Sequence, residues 1–138
     1  MEPLDGFLLR YRELTARYAH APRLRADRPL YENAQRELWQ LAQAICHMSA
    51  PNLQRELDAA RRDAVAQIRL HLENVGPIVI RPSPRDRPRS WAEFQLTPEL
   101  SYDAATSGAT ITTDVARRLI RAHKAQVHHV YDVVRRHT

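Results

Sequence analysis

The chain has 138 residues, a formal net charge of +5 and 43% hydrophobic residues, which together indicate one globular domain. No run of about 18 apolar residues occurs and no basic, then apolar leader opens the chain, so we expect no membrane-spanning helix, no secretory signal and a cytoplasmic location. The single cysteine, Cys46, excludes an intramolecular disulfide and a multi-cysteine zinc site, and the three glycines form no phosphate-binding loop.

The first half of the chain predicts amphipathic helices. Apolar residues recur at steps of three and four over 4–20, and Pro22 follows that pattern. A second apolar seam covers residues 30–48, and Ser49 and Pro51 interrupt it. These patterns predict one helix over 4–20 and another over about 30–48.

Residues 52–75 are also helical by composition, with one apolar stripe and no internal Gly or Pro. Helix propensity allows either one long helix or two helices with a tight turn near residues 58–63. The sequence leaves both possibilities open.

The pattern changes after Gly76 and Pro77, which are typical of a helix stop. The β-branched residues 78–80 and the alternating residues 91–96 predict two strands. Between them, residues 81–90 hold four arginines, three prolines and one aspartate, a composition typical of an exposed, stiff loop. A last helix is predicted over about 114–136, with cations at its C-terminal end. Its predicted apolar side consists of Val115, Leu119, Ala122, Val127, Val130, Tyr131 and Val134.

Residues that could support catalysis or bind a metal do not form a recognisable motif. His123 and His128 are five residues apart, a spacing that does not suit a pair of metal ligands on one helix face. Paired acidic residues and a serine nucleophile motif are absent from the sequence. We therefore expect no enzymatic activity, no metal and no cofactor.

The order of helices, strand, basic loop, strand and helix is that of a winged helix-turn-helix. Residues 72–82 (LENVGPIVIRP) resemble the end of the recognition helix and the first wing strand of the MarR family of bacterial regulators. Asp86-Arg87 is similar to that family's wing motif, and residues 96–99 (LTPE) are similar to its post-wing motif. Residues 48–57 also resemble a turn with a recognition helix, so the identity of the recognition helix stays open.

This resemblance implies a mostly α fold with a small β-hairpin. The winged helix-turn-helix core would occupy residues 30–100, flanked by terminal helices over 4–20 and 114–136 that form a homodimer. The protein would then be a transcriptional regulator that binds double-stranded DNA, with an effector the sequence does not identify. The residues that would contact DNA are Arg61, Arg62, Gln67 and Arg69 on the third helical segment and Arg81, Arg85, Arg87 and Arg89 in the wing loop.

Two other functions are compatible with the same residues. The main alternative is a helical protein-interaction module, such as an adaptor, a secretion chaperone or a phage accessory protein, whose Arg-Pro loop would dock a partner. Binding of RNA by a helical protein is the third possibility. Residues 51–80 carry equal numbers of arginines and acidic residues, which argues against a strongly basic recognition helix.

Overall fold

The computed structural model describes residues 2–18, 28–76, 93–97, 100–103 and 111–137. They form four helices, α1 (Pro3–Tyr18), α2 (Arg28–Ser49), α3 (Pro51–Asn74) and α4 (Thr113–Arg136), and two strands, β1 (Glu93–Thr97) and β2 (Leu100–Asp103). The strands pair antiparallel, with Gln95 opposite Ser101 and an irregularity between Gln95 and Thr97. None of the described helices is long and apolar enough to cross a membrane.

The ends of α3 follow from local chemistry. Pro51 occupies the first helical position, where its missing N–H removes no helical hydrogen bond. The amides of Val75 and Gly76 both donate to the carbonyl oxygen of His71, at 2.8 and 3.1 Å. Gly76 has a φ of +117°, a backbone conformation that side chains disfavour. Helix α3 therefore ends at the Gly76 stop that the sequence predicts.

The winged helix-turn-helix prediction is wrong. Helix α3 runs unbroken through residues 58–63, so the described residues contain no turn between two helices at the place where the MarR-like reading needs one. The reason is that this segment has no breaker, and Ala59 and Ala60 are strong helix formers. The described strands pair 93–97 with 100–103, and the predicted first wing strand over 78–80 lies outside the described residues. The described residues form a helical bundle with one short pair of antiparallel strands.

The chain divides into two compact units, one formed by Met1–Gln54 with Ala125–Thr138 and the other by Arg55–Lys124. In the first unit, buried side chains from α1, α2 and the end of α4 form the core: Leu8, Leu14, Ala34, Leu41, Ile45, Cys46 and Val130. Arg10 donates two hydrogen bonds to Glu37, at 2.6 and 3.1 Å, and joins α1 to α2. This contact holds the pKa of Glu37 below its usual value.

The second unit has its own core. Leu57, Ala60, Ala64 and Ile68 of α3 lie buried with Val115, Leu119 and Ala122 of α4, together with Leu96 and Ile111. Ala60 and Ala64 of α3 and Ala122 of α4 contribute small side chains to this core. Asp63 and Gln67 of α3 also contact this part of α4 through Arg118 and Thr112. These contacts determine which side of the first half of α4 faces α3 and which side faces solvent.

Candidate nucleic-acid interface

Arg61 does not face outward, contrary to the expectation that it contacts DNA. Only 6% of it is exposed, and its Nη1 lies 3.9 Å from Asp58 Oδ1. It shares the buried side of α3 with Leu57 and Ala64, which lie four residues before it and three after it. His123 on α4 lies near this cation. Burial lowers the pKa of His123, and the charge of Arg61 lowers that pKa further.

Gln67 contacts the beginning of α4. Its Oε1 accepts a hydrogen bond from the Thr112 amide at 2.8 Å, and its Nε2 donates to Thr112 Oγ1 at 3.3 Å. The carbonyl of Thr112 accepts the first helical hydrogen bond from Ala116, which makes Thr112 the N-cap residue. The amide of Gln67 therefore attaches the start of α4 to α3 and is not turned toward a partner.

Arg62 and Arg69 are exposed, as a DNA-binding role requires. They lie seven residues apart, about two helical turns, on one side of α3. Neither forms a salt bridge with another residue that the structure describes. The wing residues Arg81, Arg85, Arg87 and Arg89 lie outside the described residues, as do the rest of the loop over 81–90 and the neighbouring Trp91.

Helix α4 carries a group of cations that is absent from the predicted DNA-contacting residues. Arg117, Arg121 and Lys124 recur at steps of four and three and are exposed, on the opposite side of the helix from Val115, Leu119 and Ala122. We call these three residues the basic face. A sequence signal existed, because the same spacing that marks the apolar stripe of a helix also marks the cations behind it.

None of the three cations forms a salt bridge with a residue the structure describes, and Asp114, three residues before Arg117, is the acidic residue of α4 on this side of the helix. Like charges three or four residues apart on a helix repel each other, at a cost of about 0.2–0.5 kcal/mol per pair. A polyanion that approached this side of α4 would relieve the repulsion. The basic face is therefore a plausible surface for phosphates on electrostatic grounds.

Arg118 lies beside the basic face but has a partner. Its Nη2 is 2.7 Å from Asp63 Oδ2 on α3, and both side chains are 51% exposed. This ion pair joins α4 to α3 within the second unit. Arg118 is thus the one cation of the segment 113–124 for which a carboxylate contact is seen within the described chain.

The first unit contains a buried polar cluster of three glutamines. Gln126 Nε2 donates to Gln54 Oε1 at 2.9 Å and to Gln43 Oε1 at 3.0 Å, and Gln54 Nε2 donates to Gln43 Oε1 at 2.7 Å. Amides do not titrate near neutral pH and are poor nucleophiles, so the cluster offers no catalytic chemistry. Its satisfied hydrogen bonds fix how the helices of this unit pack.

Ser49 and His129 form the closest approach to a catalytic pair in the described residues. Ser49 Oγ lies 2.7 Å from His129 Nε2 and also 2.6 Å from the carbonyl oxygen of Ile45, to which it donates. A Ser49 hydroxyl that donates to the Ile45 carbonyl can only accept from His129 Nε2. An activated serine needs the opposite arrangement. No cluster of metal-ligating side chains occurs among the described residues either.

No family model, curated protein or solved structure matches this chain, so these comparisons neither support nor refute the resemblance to the MarR family.

Proposed function

We propose that this protein is a non-enzymatic DNA-binding protein whose basic face lies against the phosphates of duplex DNA. The observation that carries the proposal is the row formed by Arg117, Arg121 and Lys124, which is exposed and forms no salt bridge within the described residues. The net charge of +5 for the whole chain also favours association with a polyanion such as DNA. The proposal does not require a helix-turn-helix.

The dimensions of the basic face suit a DNA strand. Seven residues of helix separate Arg117 from Lys124, a rise of about 10 Å. One strand of duplex DNA presents a phosphate about every 3.4 Å along the axis, so about three phosphates fall beside this length of α4. Contacts of this kind position a protein on DNA without reading its sequence. The MarR resemblance implies the narrower function of transcriptional regulation. Support for that function requires a measured preference of the protein for one DNA sequence over others.

The test removes two charges of the basic face. In R117Q/R121Q, glutamine keeps a helix propensity close to that of arginine. We expect binding of a random-sequence duplex to weaken and the slope of log affinity against log salt to fall by about 1.8, at about 0.9 per phosphate contact. Fluorescence anisotropy between 50 and 200 mM salt, a range in which such contacts weaken measurably, gives both quantities.

The matched control is R17Q/R36Q, which removes the same charge from exposed arginines on α1 and α2. We expect this variant to keep a slope close to that of the parent protein. Equal losses in the two double variants would show that net charge, and not the basic face, determines binding. A parent protein whose weak binding does not depend on salt would remove the DNA-binding proposal.

A helical protein-interaction module is the second candidate, and a specific observation favours it. Val127 and Tyr131 lie one turn apart on α4 in the first unit and are 52% and 64% exposed. Adjacent exposed apolar residues are typical of surfaces that bind another helix. An adaptor of this kind would show no salt-sensitive DNA binding, so the same titration separates the two candidates.

A further inference from the structure

The ion pair between Arg118 and Asp63 borders the basic face. Arg118 lies one residue after Arg117 and three before Arg121, and its guanidinium is 2.7 Å from the Asp63 carboxylate. Arg117 and Arg121 have no carboxylate contact within the described residues. The surface therefore holds four cations, of which one is occupied by an acidic side chain from α3.

A carboxylate and a phosphate compete for a guanidinium in the same way. Both present two anionic oxygens that match the planar fork of arginine. The Asp63 carboxylate takes up hydrogen-bonding capacity of Arg118 that a phosphate would otherwise use. Its negative charge also repels phosphates that approach the basic face. Because both side chains are 51% exposed, solvent screens the pair and it is weak enough to exchange.

We infer that Asp63 is an autoinhibitory residue that limits the affinity of the basic face for polyanions by holding Arg118. This inference rests on the proposed function, since it concerns the same surface and the same ligand. Asp63 itself does not contact the DNA. Its removal frees a fourth cation and removes a nearby negative charge.

The test is Asp63→Asn, measured with the same random-sequence duplex. We expect D63N to bind DNA about two- to fivefold more tightly than the parent at 0.1 M salt. This range is the strength of an exposed ion pair expressed as a ratio of affinities. The salt slope should rise by about 0.9, which is one further phosphate contact. The double variant D63N/R118Q should return affinity and slope to values close to those of the parent. D63S repeats the test if the asparagine variant does not fold.

The matched control is Glu73→Gln, which changes the net charge by the same amount at an exposed position on α3. Glu73 lies ten residues from Asp63, about 15 Å along the helix, which exceeds the Debye length of about 10 Å at 0.1 M salt. We expect E73Q to bind DNA as the parent does. An equal gain in E73Q and D63N would assign the effect to overall charge and overturn the inference.

The two proposals fail in different ways. If R117Q/R121Q loses affinity relative to R17Q/R36Q while D63N and D63S bind as the parent does, the DNA-binding function stands and the role of Asp63 is refuted. The role of Asp63 is also refuted if D63N/R118Q binds as tightly as D63N. If the parent shows no salt-dependent binding and D63N shows none either, both proposals fall. Thermal unfolding of each variant separates loss of binding from loss of fold.

Discussion

His123 is partly buried in the second unit, where burial and the charge of Arg61 lower its pKa from the usual value near 6.5. The unfolded chain therefore binds a proton at a higher pH than the folded chain does. In the window between those two pKa values the unfolded state holds more protons, so the free energy of unfolding rises with pH. Acidification through about pH 6.5 should destabilise the protein through His123.

We expect His123→Gln to reduce this pH dependence. Urea unfolding at pH 7.5 and 5.0 gives the stability difference for each variant, and the difference between variants isolates the contribution of His123. His128→Gln is the control, because His128 is exposed on the same helix. A parent protein and an H123Q variant with the same loss of stability on acidification would contradict the assignment.

Gln126 shows why the sequence could not predict which side of α4 is buried along its whole length. The buried line passes through Ala122, Gln126 and Val130, whereas the predicted apolar side includes Val127, Val130 and Tyr131 in this part of the helix and leaves Gln126 out. A buried amide is tolerated only when its hydrogen bonds are satisfied. Gln43 and Gln54 satisfy them from other helices, and those contacts cannot be read from α4 alone.

The burial of Arg61, in contrast, could have been predicted from the sequence. Arg61 lies at steps of four and three between Leu57 and Ala64, both of which the apolar stripe of α3 predicts to be buried. The expectation of a DNA contact followed from the MarR resemblance and ignored this spacing. The basic face could also have been recognised, since it lies opposite the stripe that correctly predicts Val115, Leu119 and Ala122.

The sequence predicts the bounds of two helices closely. Helices over about 30–48 and 114–136 are confirmed, with observed bounds of Arg28–Ser49 and Thr113–Arg136. Propensity could not decide whether residues 52–75 form one helix or two. The structure has one, because the residues from Leu57 to Ile68 bury a single continuous stripe in the second unit.

The start of α4 depends on a contact from another element. The Gln67 side chain forms hydrogen bonds with the backbone amide and the hydroxyl of Thr112. Gln67→Ala removes both bonds and should lower the free energy of unfolding by about 0.5–2 kcal/mol, as the loss of a helix cap does. Chemical denaturation checks this value. Gln40→Ala, at an exposed position of α2, should change stability by less than about 0.5 kcal/mol. Equal effects of the two substitutions would show that Gln67 does not hold α4.

At the scale of the whole molecule, the sequence argument for a homodimer loses most of its support. From the sequence, the apolar residues of the terminal helices exceed what one small core needs, namely Phe7, Tyr11, Leu14, Val127, Val130 and Val134. In the structure, Leu14 and Val130 are buried in the first unit, and Phe7, Tyr11 and Val134 pack against the same cluster. Among the residues used in that argument, Val127 is the one left exposed within the described helices. The homodimer remains a proposal that rests on Val127 and its exposed neighbour Tyr131.

That proposal gives a direct prediction for assembly. If two copies pair through Val127 and Tyr131, light scattering at micromolar concentration should give about twice the chain mass of 16.0 kDa. Val127→Asp should then return the protein to a single chain, because a buried, unpaired carboxylate costs far more than the apolar contact gains. Leu70→Asp is the control, since Leu70 is equally exposed but lies on α3. A parent protein that scatters as 16.0 kDa, or a loss of mass in both variants, would remove α4 as the dimer surface.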